Sequence, residues 1–418
     1  MERGAVGMDV LIERCAGLDV HRDTVVATVR RPGPGGSRRS ETRTFATMTG
    51  QLEQLSDWLA AQKVTLVGME STGVYWKPVY YVLEDHLPVW VINAEHLRNV
   101  PGRKTDVADS VWIAQLIEHG LVSPSFVPPR SVRLLRDLTR HGRRLTEERT
   151  RTIQRLEKVL QDAGIKLTSV ASTILGKTGR AILASLLAGE EDPTVLAELA
   201  KGRLRPKIPA LREALVHRFR LEHHGVLVAQ MLAHVDFLES SIAETYVRVE
   251  VLLGPVADIV ERVMTIPGVG RRVAEVLIAE VGLDMSVFPT SGHLASWAGI
   301  CPGNNSSGGK RRPGRTRHGS MWLRIALTEA AQAAARAKGT YLAAHHAQIR
   351  GRRGTQKAIG ATRHDILIAY YHVVRDNVPY QDLGPDWNNR RRSTEQQTRR
   401  LVRQLERLGV NVAIEPTG

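Results

Sequence analysis

The chain has 418 residues, with 58 lysines and arginines against 43 aspartates and glutamates and a formal charge of +15. That length leaves room for two or three domains, and that charge points to a polyanionic partner. The two cysteines, Cys15 and Cys301, stand far apart in apolar settings, which excludes a disulfide framework or zinc site and predicts reduced, buried thiols. Neither a signal peptide nor an apolar run long enough to cross a bilayer is read in the sequence, so a soluble, cytoplasmic, nucleoid-associated protein is expected. The adjacent pairs His223-His224 and His345-His346 cannot face one metal from a regular helix.

Residues 10–125 alternate strand and helix signals. The run Cys15-Ala16-Gly17-Leu18-Asp19-Val20, a polar break, and Thr24-Val25-Val26-Ala27-Thr28-Val29 predict strands that turn around residues 31–36 and return through residues 41–47. A helix over residues 51–62, with Leu52, Leu55, Trp58 and Leu59 on one face, precedes a β-like run that closes on Glu70. A helix over about residues 74–85 and the run Val89-Trp90-Val91-Ile92 follow. Lys104-Thr105-Asp106-Val107-Ala108-Asp109-Ser110 then opens an apolar helix, and its spacing puts Asp106 and Asp109 on one face.

A carboxylate on an apolar strand is costly to bury unless it is paired or bound to a metal, so Asp19 and Glu70 point to a shared cation. With Asp106 and Asp109 the set becomes four acids that would repel one another without a divalent ion. Hard oxygen donors select Mg²⁺ or Mn²⁺. Each acid also has a plainer reading: Asp106 and Asp109 as helix-start acids favoured by the macrodipole, Glu70 as a loop acid. Asp23, in the polar break, reads as a turn acid. The order of acids along strand, strand and helix favours a metal-dependent nuclease site on a ribonuclease-H-like α/β fold, whose mixed sheet supports acids at its strand ends.

Residues 131–169 read as one long amphipathic helix, with leucines and isoleucines from Leu134 to Leu160 set among arginines and glutamates. A coiled-coil seam is one use for that stripe and packing onto its own domain is the other. Residues 171–225 look like a helical insertion, in which Arg203, Arg205, Lys207 and Arg212 read as a solvated face. A second long helix over 226–253 is placed to run antiparallel to the first; together these form a helical region over 131–255.

A mainly helical part over 260–380 begins at Ile266-Pro267-Gly268-Val269-Gly270-Arg271-Arg272, a helix-hairpin-helix signature. Its Gly268 and Gly270 would let backbone N–H groups approach a DNA phosphate, and Arg271 and Arg272 would add charge. A purely structural helical hairpin is the other reading. The segment Cys301 to Arg315 is a small-residue loop crowded with cations, among them Lys310, Arg311, Arg312 and Arg315. Such a loop touches phosphates, or presents a serine as a nucleophile whose developing charge the cations stabilise. An alanine-rich helix over 321–337 follows, and residues 381–418 form a basic, partly helical tail.

In order and spacing, five motifs resemble the insertion-sequence-110 family of transposases, DEDD-type recombinases guided by a bridge RNA. They are Gly17-Leu18-Asp19-Val20-His21, Met69-Glu70-Ser71-Thr72-Gly73, the Asp106–Asp109 segment, Ile266-Pro267-Gly268-Val269-Gly270, and Ala298-Gly299-Ile300-Cys301-Pro302 leading to Ser306-Ser307-Gly308-Gly309-Lys310. The resemblance implies a RuvC-like N-terminal domain whose tetrad of Asp19, Glu70, Asp106 and Asp109 binds Mg²⁺. It further implies a coiled-coil dimerisation element and a C-terminal transposase domain with a catalytic serine. That serine forms a 5′-phosphoserine intermediate and meets the acid site from another subunit of a tetramer. The family's Ser-Gly motif falls on Ser307-Gly308, with Ser306 the adjacent alternative. Ser110 departs from the family, where alanine is usual, and the run Arg390-Arg391-Arg392 has no counterpart.

The expected activity is therefore DNA recombination by a mobile element, with target and donor duplexes, a guide RNA and a homo-oligomer as partners. A RuvC-like junction nuclease without a covalent intermediate and a non-catalytic nucleic-acid-binding protein are the competing functions. Aromatic residues make up 5% of the chain, so RNA would be held through backbone charge and shape more than by stacking.

Overall fold

Alternation along the first strand decides how the N-terminal unit is layered. The computed structural model describes residues 9–71, 73–94, 97, 109–301, 306–307, 310–311, 319–387 and 394–413. The chain divides into two compact units, 1–127 and 128–418.

In the first unit, β1 (Cys15–Val20), β2 (Thr24–Pro32), β3 (Arg38–Ala46), β4 (Leu66–Glu70) and β5 (Val89–Ile92) form one sheet in the order β3-β2-β1-β4-β5. β1 pairs antiparallel with β2 and parallel with β4, and β4 pairs parallel with β5. This is the mixed sheet expected of a ribonuclease-H-like domain. Side chains of β1 alternate between faces. Ala16, Leu18 and Val20 point into a core shared with α1 (Thr49–Ala61) and α2 (Trp76–Leu83), through Leu52, Leu55, Leu59, Val79 and Leu83. Cys15 lies on the opposite face, in a second core with Ile113, Leu116 and Ile117 of α3 (Asp109–Glu118).

Two glycines let α3 lie close to that face. Gly17 and Gly68 are register partners on β1 and β4. A Cβ at Gly17 would stand 2.2 Å from the Ser110 carbonyl oxygen and 2.4 Å from the Ala114 nitrogen; one at Gly68 would stand 2.1 Å from Ile117 Cδ1. The helix is pinned at both ends. Near its start the Ser110 hydroxyl, fully buried, bonds Thr28 at 2.8 Å, and Thr28 bonds Thr42. At its end the buried carboxylate of Glu118 accepts from Arg30 at 2.8 Å and from Arg38. Ser110, the departure from the family pattern, thus holds α3 to β2.

The second unit opens with α4 (Arg130–Asp162), followed by α5 (Lys177–Leu187), α6 (Pro193–Glu198), α7 (Ile208–Ala214) and α8 (Val226–Leu253). α4 and α8 are antiparallel neighbours: Gly142 faces Tyr246, Arg149 bonds Glu239 at 2.8 Å, and His224 meets Asp162 at 3.3 Å. Leu135, Leu156 and Leu160, part of the stripe offered for a coiled-coil seam, are buried inside this chain, while Leu134 is exposed. The insertion is a built module. Leu156 and Leu160 share one core with Ile182, Leu183, Leu186, Leu196, Leu211, Leu215 and Val228.

One expectation needs correction. The segment Leu221–Met264 is long and apolar enough to cross a membrane by length and composition, which the sequence reading did not foresee. Only 17% of its apolar window is buried within the chain: Val228, Val235 and Leu238 are buried, whereas Phe237, Val247, Val251 and Leu252 are exposed, and its Glu239 is held by Arg149 and Arg180.

The remainder comprises α9 (Ala257–Met264), α10 (Arg271–Val281), α11 (Ser291–Trp297), β6 (Ser306–Ser307), β7 (Lys310–Arg311), α12 (Met321–Ala334), α13 (Tyr341–Arg353), α14 (Thr355–Asp376) and the tail helix α15 (Thr394–Arg407). α14 runs through its middle. Tyr370, fully buried, donates to the Gly282 carbonyl at 2.7 Å, and Tyr371 donates to that of Phe288 at 3.0 Å.

Cys15 is buried as expected, but Cys301 is only half-buried, a correction to the reading of two buried thiols. Burial, then the Glu118 carboxylate, pushes the Cys15 thiol up to about 12, and its Sγ donates to the Ala114 carbonyl at 3.3 Å. Because the thiolate is the reactive form, an aromatic disulfide reagent at neutral pH is expected to label Cys301 in the native protein and Cys15 only after denaturation. Equal labelling of both in the native state would contradict this packing.

The seating of α3 makes a second prediction. Gly17→Ala forces backbone against backbone and is expected to cost about 1–3 kcal/mol or more. Ser110→Ala, which removes one hydrogen bond and leaves Thr28 bonded to Thr42, is expected to cost about 1 kcal/mol. Urea unfolding of the two variants against the parent measures both.

Candidate active site

The acids stand where the sheet ends. Asp19 and Glu70 follow Leu18 and Met69, the last pair that joins β1 to β4; Asp19 still pairs with Val26 of β2 and Glu70 with Ile92 of β5. Both continue the alternation of Gly17 and Gly68, so both lie on the face that α3 covers. Asp109 is the first residue of α3, and α3 runs opposite to β1: Ser110 lies over Gly17, while Glu118 reaches Arg30, the partner of Cys15. The start of α3 therefore sits at the same end of the sheet as Asp19 and Glu70. The partial positive charge of a helix N-terminus favours carboxylates there. Asp106 falls outside the described residues.

Asp19 is mostly buried, and its Oδ2 meets His21 Nε2 at 3.1 Å. His21 was read only as part of a motif. The spacing Asp19-Val20-His21, two residues of like orientation across one, was the signal for that contact. The paired pattern Gly17-Leu18-Asp19 and Gly68-Met69-Glu70 was the signal for the close helix, and it too went unread.

Among the described residues no three His, Cys, Asp or Glu side chains stand close enough together to hold a metal ion. The donor set nevertheless suits a hard divalent cation, being carboxylates alone on one face of the sheet.

The serine segment is a pair of short strands where the sequence suggested a flexible loop. Ser306 pairs with Arg311 and Ser307 with Lys310, antiparallel. Arg312 and Arg315 lie outside the described residues. The chain is firmly held just beyond this ribbon. A Cβ at Gly319 would stand 2.1 Å from the Ala298 carbonyl oxygen. Ser320 caps α12, accepting from the Leu323 N–H, and donates to Glu280 Oε2 at 2.8 Å. Glu280, buried on α10, accepts from Nε and Nη2 of Arg140 of α4, at 2.7 and 2.9 Å. One carboxylate thus ties α4, α10 and the root of α12.

The turn at Pro267-Gly268-Val269 joins α9 to α10. Gly268 has φ +86°, and a Cβ there would meet the Ala330 carbonyl oxygen at 2.3 Å and the Ala334 nitrogen at 2.5 Å. Packing against α12 therefore explains Gly268 without a phosphate. Gly270 is exposed and precedes α10. Arg271 and Arg272 both bond the buried carboxylate of Glu275, at 3.1 and 2.8 Å, and the Arg272 guanidinium lies 3.5 Å above the Tyr246 ring. Arg203, Arg205, Lys207 and Arg212 are exposed on the insertion, as expected of a solvated face.

Comparison with known proteins places this architecture. The family model DEDD_Tnp_IS110, described as a transposase, matches residues 16–165, and that of the transposase IS116/IS110/IS902 family matches residues 260–347. The "Insertion element IS110 uncharacterized 43.6 kDa protein" of Streptomyces coelicolor is 29% identical over 311 residues, covering 68% of this chain and 74% of its own length. Two solved RuvC structures from Thermus thermophilus, one in complex with a Holliday junction substrate, align with 27% of this chain and 99% of theirs. Their identities are 12% and 13% and their TM-scores 0.22 and 0.21. With both family domains present, in order and joined by one chain, the protein belongs to the IS110 family of transposases.

Proposed function

We propose that this transposase cuts and rejoins the DNA of a mobile insertion sequence through a metal-dependent acid site and a serine nucleophile. The observation that supports it most is the placement of Asp19 and Glu70 on the sheet face that α3 covers, toward the end where α3 carries Asp109. Asp106, three residues before Asp109, completes the set of ligands. When bound there, Mg²⁺ or Mn²⁺ would neutralise charge on a scissile phosphate. Asp19, Glu70, Asp106 and Asp109 would hold it, and His21 orients Asp19 through its hydrogen bond.

Ser307 acts as nucleophile. Its Oγ forms a bond to phosphorus while the bond from phosphorus to the 3′ oxygen breaks. The 5′ phosphate stays on the serine, and the serine proton ends on the freed 3′ hydroxyl. Lys310, Arg311, Arg312 and Arg315 stabilise the charge that develops on the phosphate. Gly270, Arg271 and Arg272 touch DNA backbone with their exposed edges, while the inner N–H groups of both arginines stay on Glu275. The target and donor duplexes are read through a guide RNA. The working particle is a dimer that joins into a tetramer, in the cytoplasm where the DNA is.

Glu70→Ala and Asp19→Ala are each expected to drop cleavage of nicked or junction DNA by at least about a hundredfold. Thermal stability without divalent metal should hold or rise, because repulsion between acids is relieved. Full cleavage by Glu70→Ala would remove the acid site from the mechanism.

The serine is tested separately. Incubation with Mg²⁺ and nicked DNA is expected to give a protein–DNA adduct on a denaturing gel, which Ser307→Ala abolishes while binding persists. Ser306→Ala should keep the adduct; the reverse pattern would move the nucleophile by one residue. Free cleaved DNA without any adduct would make the enzyme a hydrolytic nuclease instead.

A further inference from the structure

The face shared by α12 and α14 brings two cations together without a carboxylate. Arg324 of α12 is exposed, and Arg363 of α14 is half-buried. Arg363 Nη1 reaches Thr328 Oγ1 at 3.4 Å, a weak contact, since that hydroxyl already donates to the Arg324 carbonyl at 2.7 Å. The Arg363 Nε is buried and has no hydrogen-bond partner among the described residues. Gly360 lies beside Nη2, from which a Cβ there would stand 3.8 Å.

The acids of both helices are engaged elsewhere. Glu329 accepts from Arg143 at 2.6 Å, Asp365 meets His345 at 2.6 Å, and Asp376 accepts from Arg375 at 2.7 Å. The segment 302–318, which leads into α12, contains no aspartate or glutamate. Burial first, and the Arg324 charge second, hold the Arg363 guanidinium below its usual pKa range. A buried N–H without an acceptor is costly, and like charges side by side add to the cost. An anion would remove both.

We propose that Arg324 and Arg363 form a binding site for a phosphate of a nucleic-acid backbone, with the Thr328 hydroxyl beside it. The chemistry selects phosphate because planar guanidinium forks match its oxygens two at a time, and threonine hydroxyls are common companions in backbone contacts. α12 is the element into which the serine ribbon leads, so a phosphate held there gives the bound strand a fixed point on the same body. The site uses neither Ser307 nor any acid of the tetrad, so it stands or falls apart from them.

The test uses the full-length protein and follows affinity against salt for a short DNA duplex and for a single-stranded RNA. Arg324→Gln is expected to reduce the slope of log affinity against log salt by about 0.9 on the duplex, or by about 0.7 on single-stranded RNA. The ligand that shows the change is the source of the phosphate. Arg363→Lys, which keeps the charge and loses the fork, should keep the slope and lower affinity. Arg375→Gln, whose guanidinium is closed on Asp376, should change neither. Without ligand, the melting temperature of Arg324→Gln should hold or rise as repulsion is removed. An unchanged slope on both ligands, or a lower melting temperature with the slope intact, would overturn the site in favour of a structural role.

Discussion

The close approach of α3 to the sheet is the constraint on which the acid site depends. A helix normally stands off a sheet by the thickness of two side-chain layers. Here the paired glycines Gly17 and Gly68 remove one layer at the crossing point, and backbone meets backbone. That contact sets both the height and the direction of α3, and so brings Asp109 to the end of the sheet where β1 and β4 deliver Asp19 and Glu70. The Ser110–Thr28 bond at one end and the Glu118 ion pairs at the other fix the helix along its axis.

Buried carboxylates do comparable work throughout the chain. Glu118, Glu275 and Glu280 are each almost fully buried, and each takes two or more cationic partners. Breaking such a cluster by removing one partner typically costs about 3–5 kcal/mol, because a charge is left buried alone. The consequence for function is a redistribution of charge. Arg271 and Arg272, which sequence alone would count toward nucleic-acid binding, spend N–H groups inside the fold, as Arg140 does. Arg324 and Arg363 have no carboxylate partner among the described residues.

The strands, the helix spans and the mixed sheet were legible because they rest on local signals, period-two and period-three-to-four patterning and turn residues, and the candidate acids were picked out because they stand within or beside apolar runs. The antiparallel match of α4 and α8 was legible from two amphipathic stripes of similar length. The compact core of the insertion was not, since its short helices carry little periodicity and become apolar clusters only when Leu156, Leu211 and Val228 meet. The membrane-like hydropathy of Leu221–Met264 was not legible as such, because its apolar residues are interrupted by charges, and only 17% of its apolar window is buried within the chain.

By itself the sequence determined which residues are acids on strand ends, which segments are amphipathic, and that the chain is strongly basic, because each of these is a property of neighbours along the chain. Only the tertiary structure decided what those residues do to one another. It assigned Gly268 to packing against α12, gave His21 to Asp19, and turned Ser110 from an oddity into the pin of α3. It also separated neutralised arginines from open ones. The physical reason is that pairing a charge or excluding a Cβ depends on atoms dozens to hundreds of residues away, and no local pattern encodes which distant atom arrives.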